Sequence, residues 1–199
     1  MDQREINKIV KDFYTWVLFA NNRKEVKRFL EELSLCRLCG MDFDGTITVK
    51  GQVLVREDGR EYIIRSRKDS MLIPKVTATG VHMAVISTEE NPVVMANCAK
   101  MKIECFQGVL TGEGKLDILQ RKARQMGIRQ EEVAFMGDDI NDLGCLEWAG
   151  VAVCPSDAHI VVKDVVKQRG IMLSAEGGNG ALRQLTELLL LAKGLDIKR

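Results

Sequence analysis

From residue 35 onward, short apolar runs alternate with longer stretches of helical periodicity, and this alternation constrains the fold more than any other feature. The runs cover residues 35–41, 81–86, 103–106, 133–136 and 150–153; helical spacing covers 71–78, 92–100, 115–126, 141–148 and 180–193. Continuous Val, Ile, Leu and Met is what strands buried on both faces require, and parallel strands need crossovers long enough to hold a helix. An α/β protein with a parallel sheet flanked by helices is expected. A chain of 199 residues buries roughly 70% of its extended surface on folding, so its core needs no structural metal or disulfide. Any metal is then expected to serve chemistry.

Two segments depart from the alternation. Residues 52–64 read as two strand-like halves around Asp58-Gly59, a dipeptide that favours a type I′ hairpin turn. Placed after the first strand, such a hairpin sits over the carboxyl ends of the sheet, as a lid or an oligomer contact. Residues 1–34 carry Ile6, Ile9, Val10, Phe13 and Val17, then Val26, Phe29, Leu30 and Leu33, at helical spacing. A two-helix N-terminal extension is expected there, ahead of a catalytic unit spanning 35–199.

With 29 basic against 28 acidic side chains, the chain lacks the cationic surplus of a nucleic-acid binder. The apolar stretch at 16–20 is far short of the ~20 residues of a membrane span, and charged residues follow Met1 directly. A cytoplasmic address is expected, without a membrane partner. The six cysteines include Cys36-x-x-Cys39, but no second pair completes a zinc site, and both lie in an apolar run. Reduced, buried thiols are the expectation.

Chemistry concentrates at strand ends. The first strand closes on Asp42-Phe43-Asp44-Gly45-Thr46. Two carboxylates two residues apart face the same way if strand geometry continues, and the glycine lets backbone N–H groups turn toward a ligand. One carboxylate can attack phosphorus while the other handles the leaving group's proton; the same four letters also suit a turn with an Asp cap. After the 133–136 run comes Gly137-Asp138-Asp139-Ile140-Asn141-Asp142. Three acids at one strand end repel one another unless a cation sits among them, and hard oxygen ligands select Mg²⁺. Asp139 or Asn141 could instead cap the next helix. Between these motifs Ser87 ends a strand and Lys115 opens a helix; alone, the first reads as a cap and the second as a solvated lysine. Together they supply a hydroxyl donor and a cationic clamp at the same sheet edge.

The series D-F-D-G-T, I-S-T-E, G-K-L-D and G-D-D-I-N-D resembles the four motifs of the haloacid dehalogenase superfamily, over residue 35 to the end. The hairpin insert, Asp69, the segment Gly177-Gly178-Asn179-Gly180-Ala181-Leu182-Arg183 and the leucine-rich 188–194 resemble its 3-deoxy-D-manno-octulosonate 8-phosphate (KDO 8-phosphate) phosphatases, a subfamily that also holds N-acylneuraminate 9-phosphate phosphatases. The resemblance implies a Rossmann-like core without a large cap domain. It makes Asp42 the nucleophile that forms an aspartyl-phosphate, and Asp44 the acid that protonates the sugar oxygen and then activates water. Mg²⁺ would rest on the Asp42 carboxylate, the Asp44 carbonyl and Asp138, with Asp139 and Asp142 near or behind it. Ser87 and Lys115 would bind phosphoryl oxygens. A homotetramer joined through the 52–64 hairpin is implied as well.

This chain also departs from the subfamily. Glu89 stands where an Arg is usual, as in relatives that favour nine-carbon acids, and a carboxylate offers a polyol the opposite hydrogen-bonding surface. Asn179 replaces a frequent Arg, and the basic residue of the next helix is missing at 95–97, with Lys100 nearest. Gly45, Thr46, Glu89, Asp69 and Asn179 stand as substrate contacts, with Arg67, Lys68 and Arg183 as anchors for the substrate carboxylate. Two other readings compete: a phospho-acceptor switch of the response-regulator type, which places its acidic pair first, and a vestigial domain associated with a cytidylyltransferase.

Overall fold

The computed structural model describes Lys8, residues 23–49 and residues 52–195. The first expected N-terminal helix falls outside the described residues. The second is α1 (Arg23–Ser34). Then follow β1 (Leu38–Met41), β2 (Val53–Val55), β3 (Glu61–Ile63), α2 (Ile73–Ala78), β4 (His82–Ile86), α3 (Pro92–Met101), β5 (Glu104–Phe106) and α4 (Gly112–Met126). A 3-10 turn at Gln130–Glu132 leads into β6 (Val133–Met136), and another at Ile140–Asp142 into α5 (Leu143–Trp148). The described residues continue with β7 (Val151–Cys154), α6 (Ile160–Arg169), β8 (Gly170–Met172) and α7 (Ala181–Ala192).

Six strands form one sheet in the order β5-β4-β1-β6-β7-β8, every neighbouring pair parallel. Successive strands leave β1 toward both edges, so β1 marks the switch point where α/β sheets bind ligands. Met41 lies in register with Val85 of β4 and Met136 of β6. Whatever follows these three strands therefore meets at one sheet edge.

Side chains alternate across the sheet and feed two apolar layers. Cys39, Met41, Ala134, Met136, Val151 and Val153 pack against α1, α2, α3 and α7 on one face. Leu38, Val133, Phe135, Ala152 and Cys154 pack against α4, α5 and α6 on the other. Phe29 and Leu33 of α1 lie in the first layer, and Lys193 Nζ donates to the Ser34 carbonyl at 3.1 Å. The six thiols are free; all except the half-buried Cys105 are buried.

The sequence pattern misses α6 and β8. Residues 160–166 are mostly β-branched, which favours strand, yet Val162 and Val166 stand four apart and both are buried on the α5–α6 side, which fixes a helix. The strand that follows has three residues and starts on a glycine, too short to show a period. The hairpin turn is also corrected: Gly59 has φ +77° but Asp58 is not left-handed, so the turn is not type I′. Five residues connect the strands. Gly59 N–H donates to Arg56 O, Arg56 N–H to Arg60 O, and Asp58 Oδ1 accepts from Arg60 N–H.

Lys102 ends α3 at φ 58°, alone among the described non-glycine residues in the left-handed region. That conformation costs a side chain about 1–2 kcal/mol, partly offset in Lys102→Gly by the looser unfolded chain. The substitution is expected to raise stability by about 1 kcal/mol, read as a melting temperature about 2–4 °C higher.

Candidate active site

β1 ends at Met41, and strand geometry ends with it. The Ile47 and Thr48 N–H groups both donate to the Phe43 carbonyl, so 43–48 is a tight turn rather than a continued strand. The condition for the two acids to face the same way, a strand that continues, is therefore not met, and they differ in setting: Asp42 is buried and Asp44 exposed. Thr48 Oγ1 accepts the Gly45 N–H and lies 3.4 Å from Asp44 Oδ1, which restrains that carboxylate.

Beneath the turn lies a buried ionic cluster. Asp42, Asp138 and Asp142 offer oxygens within 4.8 Å of one another. Lys115 reaches them from the first turn of α4 and is fully buried, so it is no surface lysine. Its ammonium donates to Asp42 Oδ1 at 2.7 Å and to Asp142 Oδ1 at 2.8 Å. Asp142 Oδ2 accepts the N–H groups of Asp138 and Asp139. Both of its oxygens are therefore engaged in holding Lys115 and the Asp138 turn. Thr46 Oγ1 donates to Asp138 Oδ1 at 2.9 Å. A Cβ on Gly45 would stand 2.3 Å from Asp138 Oδ2, so only glycine lets this turn approach the acid.

One ammonium against three carboxylates leaves an excess of buried negative charge. Burial, and then the Asp142 charge, push the Asp42 carboxyl well above its usual range, against the pull of Lys115. Burial works against the Lys115 ammonium too, but Asp42 and Asp142 outweigh it and raise its pKa. A divalent cation among Asp42 and Asp138 would neutralise the excess, and carboxylate oxygens are the donors a hard cation takes. The residues therefore fit a metal of the Mg²⁺ type. Asp44 is raised as well, by burial first and then by the charge of Glu89.

Ser87 is buried at the end of β4, and its Oγ accepts the Glu89 N–H at 3.1 Å, which leaves the hydroxyl proton to donate elsewhere. Asp139 is exposed and bonds to the Ile140 N–H, the capping role that the sequence left open. Glu89 Oε1 accepts the N–H groups of Glu90 and Asn91, both at 2.8 Å.

The remaining substrate candidates flank the contact between the hairpin exit and the glycine loop, where the Ser66 N–H donates to the Gly178 carbonyl at 2.8 Å. Asp69 is fully buried; its Oδ2 accepts the Gly180 N–H at 3.3 Å, while its Oδ1 has no hydrogen-bond partner among the described residues. Burial raises its carboxyl, against the Gly180 N–H and the charges of Arg65 and Arg183. Arg67, Lys68 and Asn179 are exposed, and Arg183 pairs with Glu187 at 2.6 Å. Arg65, which the motifs do not mark, donates to Asn97 Oδ1 at 3.0 Å and ties the hairpin exit to α3 where the subfamily's basic residue is missing.

The profile of the haloacid dehalogenase-like hydrolases matches residues 89–182. The KDO 8-phosphate phosphatase of Haemophilus influenzae is 30% identical over 154 residues, covering 77% of this chain and 82% of that protein. The Escherichia coli K12 enzyme of the same name is 28% identical over 159 residues, 79% of this chain and 81% of its own. A cobalt-bound structure of the Haemophilus phosphatase superposes with a TM-score of 0.73 at 28% identity, over 82% of this chain and 92% of that one. With its parallel sheet and acidic switch-point cluster, the chain belongs to the haloacid dehalogenase-like hydrolases and is a phosphatase of that class. Within the class it belongs to the KDO 8-phosphate phosphatase family.

A carboxyl whose folded pKa lies above its unfolded value near 4 keeps, when folded, a proton that the unfolded chain has lost. Stability from Asp42 is full below about pH 4 and declines as pH rises toward the raised value. Chelator-treated protein is therefore expected to melt at lower temperature at about pH 8 than at about pH 5, with added Mg²⁺ restoring more at the higher pH. Thermal melts at both pH values, with and without Mg²⁺, check this.

Proposed function

We propose that the protein hydrolyses the phosphate monoester of an eight- or nine-carbon 3-deoxy sugar acid. The observation that carries this reading is the buried Asp42–Lys115–Asp142 cluster beneath the exposed Asp44, at the switch point of the sheet. Asp42 attacks phosphorus, forming the Oδ–P bond as the bond from phosphorus to the sugar oxygen breaks. Asp44, whose raised carboxyl holds its proton longer than an ordinary acid, gives that proton to the departing oxygen. It then takes a proton from the water that attacks phosphorus and frees Asp42.

Lys115 uses two of its three N–H bonds on Asp42 and Asp142, and the third can meet a phosphoryl oxygen beside the Ser87 hydroxyl. Mg²⁺ would be held by the Asp42 and Asp138 carboxylates and the Asp44 carbonyl, where it supplies positive charge to the phosphoryl oxygens. Asp142 contributes from behind, through Lys115 and the Asp138 turn. This order of roles distinguishes the site from a signalling receiver, since here the Asp42-x-Asp44 pair follows the first strand and the acidic cluster comes last, whereas a receiver places its acidic pair early and its phosphorylated Asp mid-sheet.

The named relatives support KDO 8-phosphate as substrate. Glu89, close enough to raise Asp44, favours a nine-carbon N-acylneuraminate 9-phosphate as a second reading. Arg67 and Lys68 are the exposed cations offered to the substrate carboxylate, with Gly45 and Asn179 beside the turn that receives the sugar. Reduced, buried thiols fit a cytoplasmic address.

Purified protein with Mg²⁺ is expected to release phosphate from one of these two sugar acids, and chelation to stop it. No turnover of either, with para-nitrophenyl phosphate cleaved, would sink the substrate reading; no turnover of any of the three would leave a vestigial domain. Asp42→Asn is expected to lower turnover by roughly 10³-fold or more while the metal-free protein melts no lower. Retained turnover would remove Asp42 as nucleophile.

The hairpin supports a tetramer. Leu54 and Val55 are 61% and 65% exposed, Tyr62 and Ile64 are exposed with them, and a two-stranded sheet is marginal alone. Sedimentation is expected to give four copies for the wild type and smaller species for Leu54→Glu; a monomeric wild type rejects this assembly.

A further inference from the structure

Asp138 is held from two sides, and both supports lead back to the segment between β7 and α6. Directly, the His159 N–H donates to the Asp138 carbonyl at 2.8 Å. The second route is longer. Asp157 Oδ1 accepts the Gly177 N–H at 2.9 Å, fixing the glycine pair Gly177–Gly178 against the turn that follows β1. Gly178 then donates its N–H to the Thr46 carbonyl at 3.2 Å, and Thr46 Oγ1 holds the Asp138 carboxylate at 2.9 Å.

The contact between the two loops is close enough to transmit position. A Cβ on Gly177 would lie 1.7 Å from the Gly45 carbonyl oxygen, and one on Gly178 would lie 2.3 Å from the Thr48 carbonyl carbon. The glycine pair is thus a backbone wedge behind the turn that carries Asp44, with no slack for that turn to fall back. Its other side is fixed by the Ser66 N–H, which donates to the Gly178 carbonyl at 2.8 Å.

We propose that Asp157 is a positioning residue for the cation site: by anchoring Gly177 it sets Thr46, and through Thr46 the carboxylate of Asp138. The inference rests on the reading of Asp138 as a metal ligand given above, but not on the identity of the substrate. Outer partners of metal ligands typically change affinity by about 10–100-fold when removed, and this magnitude is expected here.

The test is calorimetric titration of the full chain with Mg²⁺ alone, alongside turnover of para-nitrophenyl phosphate. Asp157→Ala is expected to weaken Mg²⁺ binding by about 10-fold or more, and turnover at subsaturating Mg²⁺ with it, while high Mg²⁺ restores most of the turnover. Asp157→Asn keeps an oxygen for the Gly177 N–H and is expected to retain most of the affinity. Thr46→Val breaks the same route further along, so adding it to Asp157→Ala is expected to cost less than the two single losses combined. If Asp157→Ala does not fold, the Asp157→Asn result and the cycle built as Asp157→Ser with Thr46→Val carry the test.

Wild-type affinity in Asp157→Ala overturns the proposal. So does a loss in Asp157→Asn equal to that in Asp157→Ala, which would assign the effect to charge, and so does strict additivity with Thr46→Val. A wild type that binds Mg²⁺ but cleaves no phosphate monoester rejects the phosphatase mechanism and leaves this inference standing on the titration. A wild type that binds no Mg²⁺ overturns it.

Discussion

The Lys115 ammonium, buried between Asp42 and Asp142, is the interaction on which the rest of the site depends. It joins three parts of the chain at one point: the end of β1, the turn after β6 and the first turn of α4. An ammonium is costly to bury alone, and so are carboxylates, but each makes the other tolerable if their geometry is kept. The cluster is deliberately incomplete in charge, since Asp138 brings a third buried carboxylate that Lys115 does not contact in the bonds described above. A hard cation would neutralise that residual charge, and in the proposed mechanism it would join Lys115 in letting a phosphate dianion approach Asp42.

Around this centre the protein uses backbone as much as side chain. The Asp142 carboxylate collects two N–H groups of its own turn, Thr48 receives the Gly45 N–H, and the glycine pair at 177–178 packs against the 45–49 turn. Backbone groups have no rotamers to lose, so positions fixed this way cost little further ordering once the sheet has formed. Two carboxylates two residues apart thus acquire different environments: Asp42 is enclosed and charge-paired, whereas Asp44 lies at the surface with its carboxyl partly desolvated and raised further by Glu89.

Much of this is legible in the amino-acid sequence. Each of the five apolar runs falls on a sheet strand, and Asp42, Ser87 and Asp138 stand just past the points where such runs end, so the parallel register alone assembles them. The long helix behind Lys115 is visible for the same reason. What the sequence conceals are contacts without a period. Arg65 and Asn97 are 32 residues apart, Asp157 and Gly177 are 20, and no spacing rule links them. The burial of Asp69 is hidden in the same way: its partner is the Gly180 N–H, 111 residues further on, and nothing local announces that contact. The β-branched α6 was hidden because its residues prefer strand while their burial four apart demands a helix.

The thiols give the architecture an internal clock. Burial pushes Cys36 up to about 11 and Cys154 to about 12, and raises Cys39, Cys98 and Cys145 as well. Since only a thiolate reacts at an appreciable rate, an alkylating reagent finds these cysteines inert until the layer above them lifts. They are divided between the two faces of the sheet: Cys36, Cys39 and Cys98 under one set of helices, Cys145 and Cys154 under the other. The order in which they become labelled therefore records which face opens first, and whether the cation cluster at the sheet edge keeps the two faces closed together.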